Sequence, residues 1–319
     1  MHYSIIINPI AGNGYAKSAW PAVHQALDQA QIDYDYRFTK RAGQATYFAT
    51  KLAEKSQPTN TVVIAMGGDG TLHEVLNGLL KTAKKHQTSR LPLAYIPAGT
   101  GNDFARAYGI ILDPVKALQQ ILATDHPQVI NIGHYRDAIK NQDHYFLNNV
   151  GIGFDAAIVS RTNFSKAKKK LNRHHRIGHF AYASQALGVL YDQAPFTLMA
   201  QGDHEREFFS KAYIAIVTNH PYIGGGFRIA PTATIKEPAL DLVVAERKNW
   251  LVTFWQLIQF ARGKLADSRF AKHYHGHQFH CTTTSLEFGQ VDGEEMGNQF
   301  MDLTMSVATY PFWQTSTNK

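Results

Sequence analysis

The residues in this chain best equipped for chemistry are carboxylates and backbone amides set among glycines. Gly67-Gly68-Asp69-Gly70-Thr71 follows an aliphatic run at 61–65. It opens a helical pattern in which Leu72, Val75, Leu76, Leu79 and Leu80 share one face. Glycines at a strand end leave N–H groups bare, and the helix that follows aims the positive end of its dipole at them, which suits a phosphate. A tight strand-to-helix turn is the plainer reading, but Asp69 would be unwelcome beside a phosphate without a metal ion. Thr71 and Glu74 have the T-x-x-E spacing of a capping pair, which fixes the helix start. Farther on, Val291-Asp292-Gly293-Glu294 carries two carboxylates two residues apart. In an extended segment they share one face; an exposed turn is the alternative.

Two more loops have the same character. Asn8-Pro9-Ile10-Ala11-Gly12-Asn13-Gly14 follows the run 3–7, and Pro97-Ala98-Gly99-Thr100-Gly101-Asn102-Asp103 follows 93–96. All three loops leave the carboxyl ends of their strands, where open parallel sheets bind ligands. Each alone is punctuation; three on one edge form a nucleotide cleft. None is G-x-x-x-x-G-K-[ST], which excludes a P-loop, and no G-x-G-x-x-G fills the first strand-to-helix turn, which weighs against a dinucleotide-dependent dehydrogenase.

The elements that must position these loops alternate over the first 130 residues. Strand-like runs at 3–7, 34–38, 61–65 and 93–96 are separated by helical patterns through Trp20, Val23, Leu27 and Ala30 and through Ala45, Ala49, Leu52 and Ala53. This predicts an α/β N-terminal nucleotide-binding domain, residues 1–130, with a mostly parallel sheet. Residues 131–319 read as a mainly antiparallel β-sandwich C-terminal domain. Its strand-like runs lie at 145–150, 196–200, 211–217, 240–245, 285–288 and 302–308, with helical patterns only at 180–191 and 250–265. The final strand or tail is the segment able to pack back on the first domain.

With 44% hydrophobic and 18% charged residues the composition is globular. No apolar run approaches the roughly 20 residues that span a bilayer, and the start of the chain lacks the pattern of a signal peptide. The single cysteine, Cys281, excludes an intramolecular disulfide and suggests the cytoplasm. A net charge of +7 favours anionic partners: nucleotides, nucleic acid or anionic lipid surfaces. The run Lys166, Lys168, Lys169, Lys170, Arg173, His174, His175 and Arg176 is either a solvated face or a contact with an anionic membrane surface. Without interleaved aromatics it does not suggest nucleic acid. His273, His275, His277 and His280 beside Cys281 lack paired zinc-ligand spacing and read as a polar strand. Exposed antiparallel edges suit a homodimer.

In N-P-x-A-G-x-G from Asn8, G-G-D-G-T-x-x-E from Gly67, P-x-G-T-x-N-D-F-A from Pro97 and V-D-G-E from Val291, the chain resembles the diacylglycerol kinase catalytic family in its bacterial lipid-kinase branch. The resemblance implies an ATP-dependent lipid kinase that is peripherally membrane-associated, with diacylglycerol the leading acceptor. It places ATP against Asn8, Pro9, Ile10, Ala11, Gly12, Thr39, Gly67, Gly68, Asp69, Gly70, Thr71, Glu74 and Thr100, and implies Mg²⁺. It puts the catalytic carboxylates at Asp292, Glu294 and Asp69, without separating base from orienting group. A structural Mg²⁺ of the family maps to Thr234, Glu237 and Ala239, where Glu237-Pro238 replaces the usual Asp-Gly. Asn131 stands where members often carry aspartate. Because G-G-D-G-T is shared with NAD kinases, an NAD kinase is one alternative, and a non-catalytic nucleotide-binding regulator is another.

Overall fold

Strands that are apolar on both faces need cover on both sides, and the first part of the chain supplies it with helices. The computed structural model describes residues 1–55, 60–86, 90–154, 156–157 and 194–316. They fall into two units, Met1–Ile132 with Ala308–Lys319, and Gly133–Val307.

In the first unit, β1 (His2–Ile7), α1 (Tyr15–Gln29), β2 (Asp33–Phe38), α2 (Gln44–Lys55), β3 (Thr61–Gly67), α3 (Asp69–His86) and β4 (Leu93–Pro97) alternate. Two further helices, α4 (Asp103–Tyr108) and α5 (Pro114–Leu122), follow. The strands are parallel in the order β2-β1-β3-β4. β3 and β4 are buried throughout, whereas the edge strand β2 is mostly exposed. One core joins Ile5, Ile7, Val62, Ile64 and Ile96 to Trp20, Val23 and Leu27 of α1 and to Leu118 and Ile121 of α5. From β1 the chain crosses to β2 on one side, while β3 lies on the other. This reversal of strand order is the switch point outside which open α/β sheets bind ligands.

The remaining strands, which lie largely in the second unit, are β5 (Gln128–Asp137), β6 (Gln142–Phe146), β7 (Asn149–Gly153), β8 (Phe196–Gln201), β9 (Arg206–Thr218), β10 (Tyr222–Ile223), β11 (Phe227–Arg228) and β12 (Leu240–Glu246). After helix α6 (Trp250–Ala261) come β13 (Ala271–Gly276), β14 (Gln278–Thr283), β15 (Glu287–Val291), β16 (Glu294–Gln299) and β17 (Asp302–Phe312). The pairings given by register are antiparallel, with β9 bonded to β7, β8 and β12. Two cores result. One gathers Phe146, Val150, Leu198, Val217, Leu242, Phe279 and Leu303; the other gathers Phe154, Tyr213, Ile216, Val243 and Phe260. The unit is a mainly antiparallel β-sandwich.

Two sequence expectations change. The run at 145–150 is two strands, broken at Leu147 and Asn148 because their N–H groups are taken by a side chain, described below. The helix expected over 250–265 ends at Ala261, where Gly263 turns left-handed with φ +67°. Residues 308–319 belong with the first unit: Phe312 pairs with Leu93 in parallel, and the Trp313 N–H donates to the Leu93 carbonyl (2.7 Å). The helix expected at 180–191 and the basic run at 166–176 lie outside the described residues. Among the described residues no helix is long and apolar enough to cross a membrane.

Gln314 holds the end of the chain in place. Fully buried, it accepts the Tyr95 N–H (3.1 Å), donates to the Ala117 carbonyl (3.3 Å), and its own carbonyl accepts the Tyr108 hydroxyl (2.7 Å). Gln314→Ala leaves the Tyr95 N–H and Ala117 carbonyl buried without these partners. Urea unfolding is expected to show a loss of about 1–3 kcal/mol; an unchanged midpoint would show that the tail is not held by these bonds.

Candidate functional site

The three glycine loops of the first unit meet backbone to backbone. A Cβ on Gly99 would lie 2.5 Å from the Gly68 Cα, and one on Gly12, whose φ is +60°, would lie 2.5 Å from the Ala98 carbonyl oxygen. Neither obstacle is a flexible side chain, so glycine is required for the loops to approach. The loop after β1 forms a short 3-10 turn at Ala11–Gly14 that feeds α1. The Asn8 side chain donates to Thr71 Oγ1 (3.1 Å), and the Asn8 N–H to the Met66 carbonyl (2.9 Å). Thr39, buried at the end of β2, donates its N–H to the Ile7 carbonyl (2.8 Å). In the third loop Asn102 accepts the Gly99 N–H (3.0 Å) and donates to the Gly99 carbonyl (3.1 Å), closing the turn that carries exposed Thr100. The buried Tyr95 hydroxyl lies 3.2 Å from the Gly67 carbonyl and 3.1 Å from Asn102 Oδ1. Burial, and after it the charges of Asp69 and Asp103, push that phenol well above its ordinary range.

Asp69 and Glu74 have defined tasks here. Asp69 begins α3, and its two carboxylate oxygens accept the N–H groups of Asp103 and Phe104, both at 3.2 Å. It therefore ties the β3 loop to the start of α4 and satisfies two amides that a helix leaves open. Glu74 does the same for α2, accepting the N–H groups of Gly43 (2.9 Å) and Ala45 (3.0 Å). This replaces the expected capping pair. The helix starts at Asp69, so Thr71 is already inside it, and Glu74 reaches across to the neighbouring helix. The structure thus gathers Asn8 to Gly12, Thr39, Gly67 to Thr71 and Thr100 at the carboxyl edge of one sheet, with Glu74 behind them fixing the β2–α2 loop.

In the second unit, Asp292 and Gly293 form a two-residue hairpin turn between β15 and β16, with φ of +50° and +81°. Positive φ at both positions is the twist-matched hairpin geometry that Asp-Gly favours. The pair Asp292 and Glu294 therefore do not share one face of an extended segment: Asp292 is buried and Glu294 is exposed at the start of β16. The Asp292 carboxylate accepts three backbone N–H groups, from Leu147 (2.9 Å), Asn148 (2.8 Å) and Asn149 (3.1 Å). Gln290 braces the turn, accepting the Gly293 N–H (2.9 Å) and donating to Asn149 Oδ1 (2.6 Å).

His220 completes this arrangement and was not legible as a site residue; only its position two residues after Thr218 in a buried strand end hints at it. The Tyr222 N–H donates to Nδ1 (3.1 Å), which leaves the ring proton on Nε2, facing Asn148 Oδ1 at 2.7 Å. Burial lowers its pKa to about 4, against the opposing pull of the Asp292 charge.

At Thr234, Glu237 and Ala239, to which the resemblance maps a structural Mg²⁺, the one carboxylate has a histidine beside it. Glu237 Oε1 lies 3.5 Å from His275 Nε2, and the Nδ1 of the same ring lies 3.3 Å from Asp241 Oδ1. Thr234 and Ala239 are engaged locally, the Thr234 carbonyl accepting the Glu237 N–H (3.3 Å) and the Ala239 N–H donating to the Glu237 carbonyl (2.8 Å). Among the described residues no group of three or more His, Cys, Asp or Glu could hold a metal ion.

Comparison with known proteins adds a family to this geometry. Residues 2–135 match the family described as the diacylglycerol kinase catalytic domain, and residues 148–308 match the YegS C-terminal NAD kinase beta sandwich-like domain. A Bacillus subtilis (strain 168) protein named "Putative lipid kinase YtlR" is 31% identical over 268 residues, covering 82% of this chain and 83% of its own. The diacylglycerol kinase of the same organism is 29% identical over 245 residues, 77% of this chain and 74% of its own. The crystal structure of a "putative diacylglycerol kinase from Bacillus anthracis str. Sterne" superposes with a TM-score of 0.73 at 23% identity. It covers 96% of this chain and 92% of its own, and the likeness is one of fold.

The His220 environment fixes a pH dependence. The unfolded chain takes up this proton near pH 6.5, the folded chain only near pH 4. Between those values the unfolded state binds more protons, so stability falls as the pH is lowered through the window. From pH 7 to pH 4.5 the wild type should lose about 2–3 kcal/mol more than His220→Gln, because the other titrating groups cancel in the difference. Parallel urea titrations of the two proteins measure it, and identical pH slopes would show that the ring is not held neutral.

Proposed function

Because this chain belongs to the diacylglycerol kinase catalytic family, a family of kinases, we propose that it transfers the γ-phosphoryl group of ATP to a lipid hydroxyl, with diacylglycerol the acceptor and phosphatidic acid the product. The observation that carries this reading is the meeting of three glycine loops at the switch point of a parallel sheet, a surface of backbone amides suited to a triphosphate. Asn8 to Gly12, Thr39, Gly67 to Thr71 and Thr100 face the nucleotide in this proposal. Mg²⁺ arrives with ATP as part of the substrate and offsets the phosphate charge. Asp69 and Glu74 act by holding the loops.

In the reaction the lipid oxygen bonds to the γ-phosphorus as the bond to the β-phosphate oxygen breaks. ADP leaves, and a carboxylate takes the hydroxyl proton. We assign that proton to Glu294. Asp292 is already bonded to three amides, and using it as a base would set proton uptake against the bonds that hold its turn together. Glu294, one residue beyond the turn and exposed, can accept a proton and release it to water. Asp292 is in this reading a positioning residue, which sets where Glu294 emerges.

Glu294→Gln should lose about 10² to 10⁴ in turnover while keeping its melting temperature and ATP affinity. Asp292→Asn should lose stability as well, by about 1–3 kcal/mol, because an amide cannot accept all three N–H groups. Asp69→Ala should abolish turnover by releasing α4 from the β3 loop. The measurement is a lipid-panel kinase assay with Mg·ATP, and wild-type turnover by Glu294→Gln would place the base elsewhere. Phosphorylation of NAD in place of every lipid would make the protein an NAD kinase. ATP binding without turnover on any acceptor would make it a nucleotide-binding regulator.

A further inference from the structure

Helix α6 carries apolar side chains on its outward face as well as on its inward one, where Phe260 and Leu257 pack into a core. The side chains it buries are Thr253, Gln256 and Phe260. Gln256 is fully enclosed and satisfied, its Nε2 donating to the carbonyls of Glu246 (3.1 Å) and Phe270 (2.8 Å) and its Oε1 accepting from the Tyr213 hydroxyl (3.3 Å). The Thr253 hydroxyl donates to the Asn249 carbonyl (3.0 Å). Facing outward at i, i+1, i+4 and i+5 are Trp250, Leu251, Phe254 and Trp255, exposed by 73%, 60%, 46% and 41%. A contiguous apolar face of this kind marks a contact surface.

The surrounding charges select the partner. Residues 247–266 contain Arg247, Lys248, Arg262 and Lys264 and no Asp or Glu, and Lys248, Arg262 and Lys264 are exposed. Two indoles, a phenyl ring and a leucine between cations match the boundary of an anionic bilayer. The apolar bodies enter the acyl region, the indole N–H groups stay among the headgroups, and the cations meet anionic lipid. A second copy fits less well, because antiparallel pairing of two α6 helices would set Arg247 and Lys248 of one against Arg262 and Lys264 of the other. We propose that the outward face of α6 docks this chain on an anionic lipid bilayer, a surface that deepens the lipid-kinase reading and rests on it for its purpose.

The chain's own tryptophans report the docking. Of the four, Trp20 and Trp313 are buried, so a change in emission on adding vesicles arises at Trp250 and Trp255. Phosphatidylcholine–phosphatidylglycerol vesicles, without ATP, should shift the emission to the blue, and pure phosphatidylcholine vesicles should do so less. Leu251→Gln with Phe254→Gln keeps both indoles and should weaken vesicle partition about tenfold or more. Arg262→Gln with Lys264→Gln should remove much of the preference for anionic vesicles, and it decides the matter if the first variant melts low. Unchanged emission with vesicles overturns the proposal, as does wild-type partition by both variants. Sedimentation showing a dimer that the Leu251/Phe254 variant dissociates would assign the face to a second copy and also overturn it. Vesicle binding with no lipid phosphorylated leaves the docking intact and removes the kinase reading. Phosphorylation of dispersed short-chain diacylglycerol without vesicle binding does the reverse.

Discussion

The second unit is organised around one buried carboxylate that gathers three consecutive backbone amides. Asp292 takes the N–H groups of Leu147, Asn148 and Asn149, and in doing so decides where β6 stops and β7 begins. Without that acceptor three buried donors would be left unpaired at a cost of about 1–3 kcal/mol each. With it, the Asn148 side chain is placed to meet His220, and Asn149 to meet Gln290. The Asn148 carbonyl in turn accepts the Asn219 N–H (2.9 Å), and the Leu147 carbonyl accepts the Asn219 side-chain amide (3.1 Å). A single turn residue thereby fixes the ends of β7, β9 and β15.

The first unit uses the same device twice. Asp69 gathers the first amides of α4, and Glu74 those of α2. In both cases an acidic side chain is set against the positive end of a helix. Such anchors let glycine loops, which carry no side chains with which to pack, hold a fixed shape. They also explain why carboxylates stand close to a surface suited to phosphates. Each of these carboxylates is met by two backbone N–H groups.

Much of this was legible in sequence, because it rests on local rules. Buried parallel strands read as aliphatic runs, and the strand-to-glycine-to-helix pattern marks the ligand edge of the sheet wherever it occurs. What escaped was non-local. The T-x-x-E spacing at Thr71 and Glu74 matches a capping box, yet Asp69 already starts the helix and Glu74 finds amides about thirty positions back in the chain. The spacing of Asp292 and Glu294 suggests a shared face only if the backbone is extended, and an Asp-Gly pair is a hairpin turn before it is anything else. The break at Leu147 and Asn148 had no local signal, because its cause lies in a turn more than a hundred residues later. The outward face of α6 escaped for a related reason: its helical pattern is plain, but which side faces out depends on the partners Gln256 finds at Glu246, Phe270 and Tyr213.

In the proposed reaction the division of labour among the acidic residues turns on what each already binds. A carboxylate that organises backbone amides gains its energy by staying charged, and protonation would cost it those bonds at each turnover. A general base must do the opposite, accepting a proton as the transition state forms and passing it on. One group cannot do both well. Asp69, Glu74 and Asp292 are each bound to two or three amides, which suits them to hold shape. Glu294 follows directly after the Asp292-Gly293 turn and is exposed to solvent. In the proposed reaction the base would stand two residues beyond an anchored one, and the bonds of Asp292 would set where it emerges.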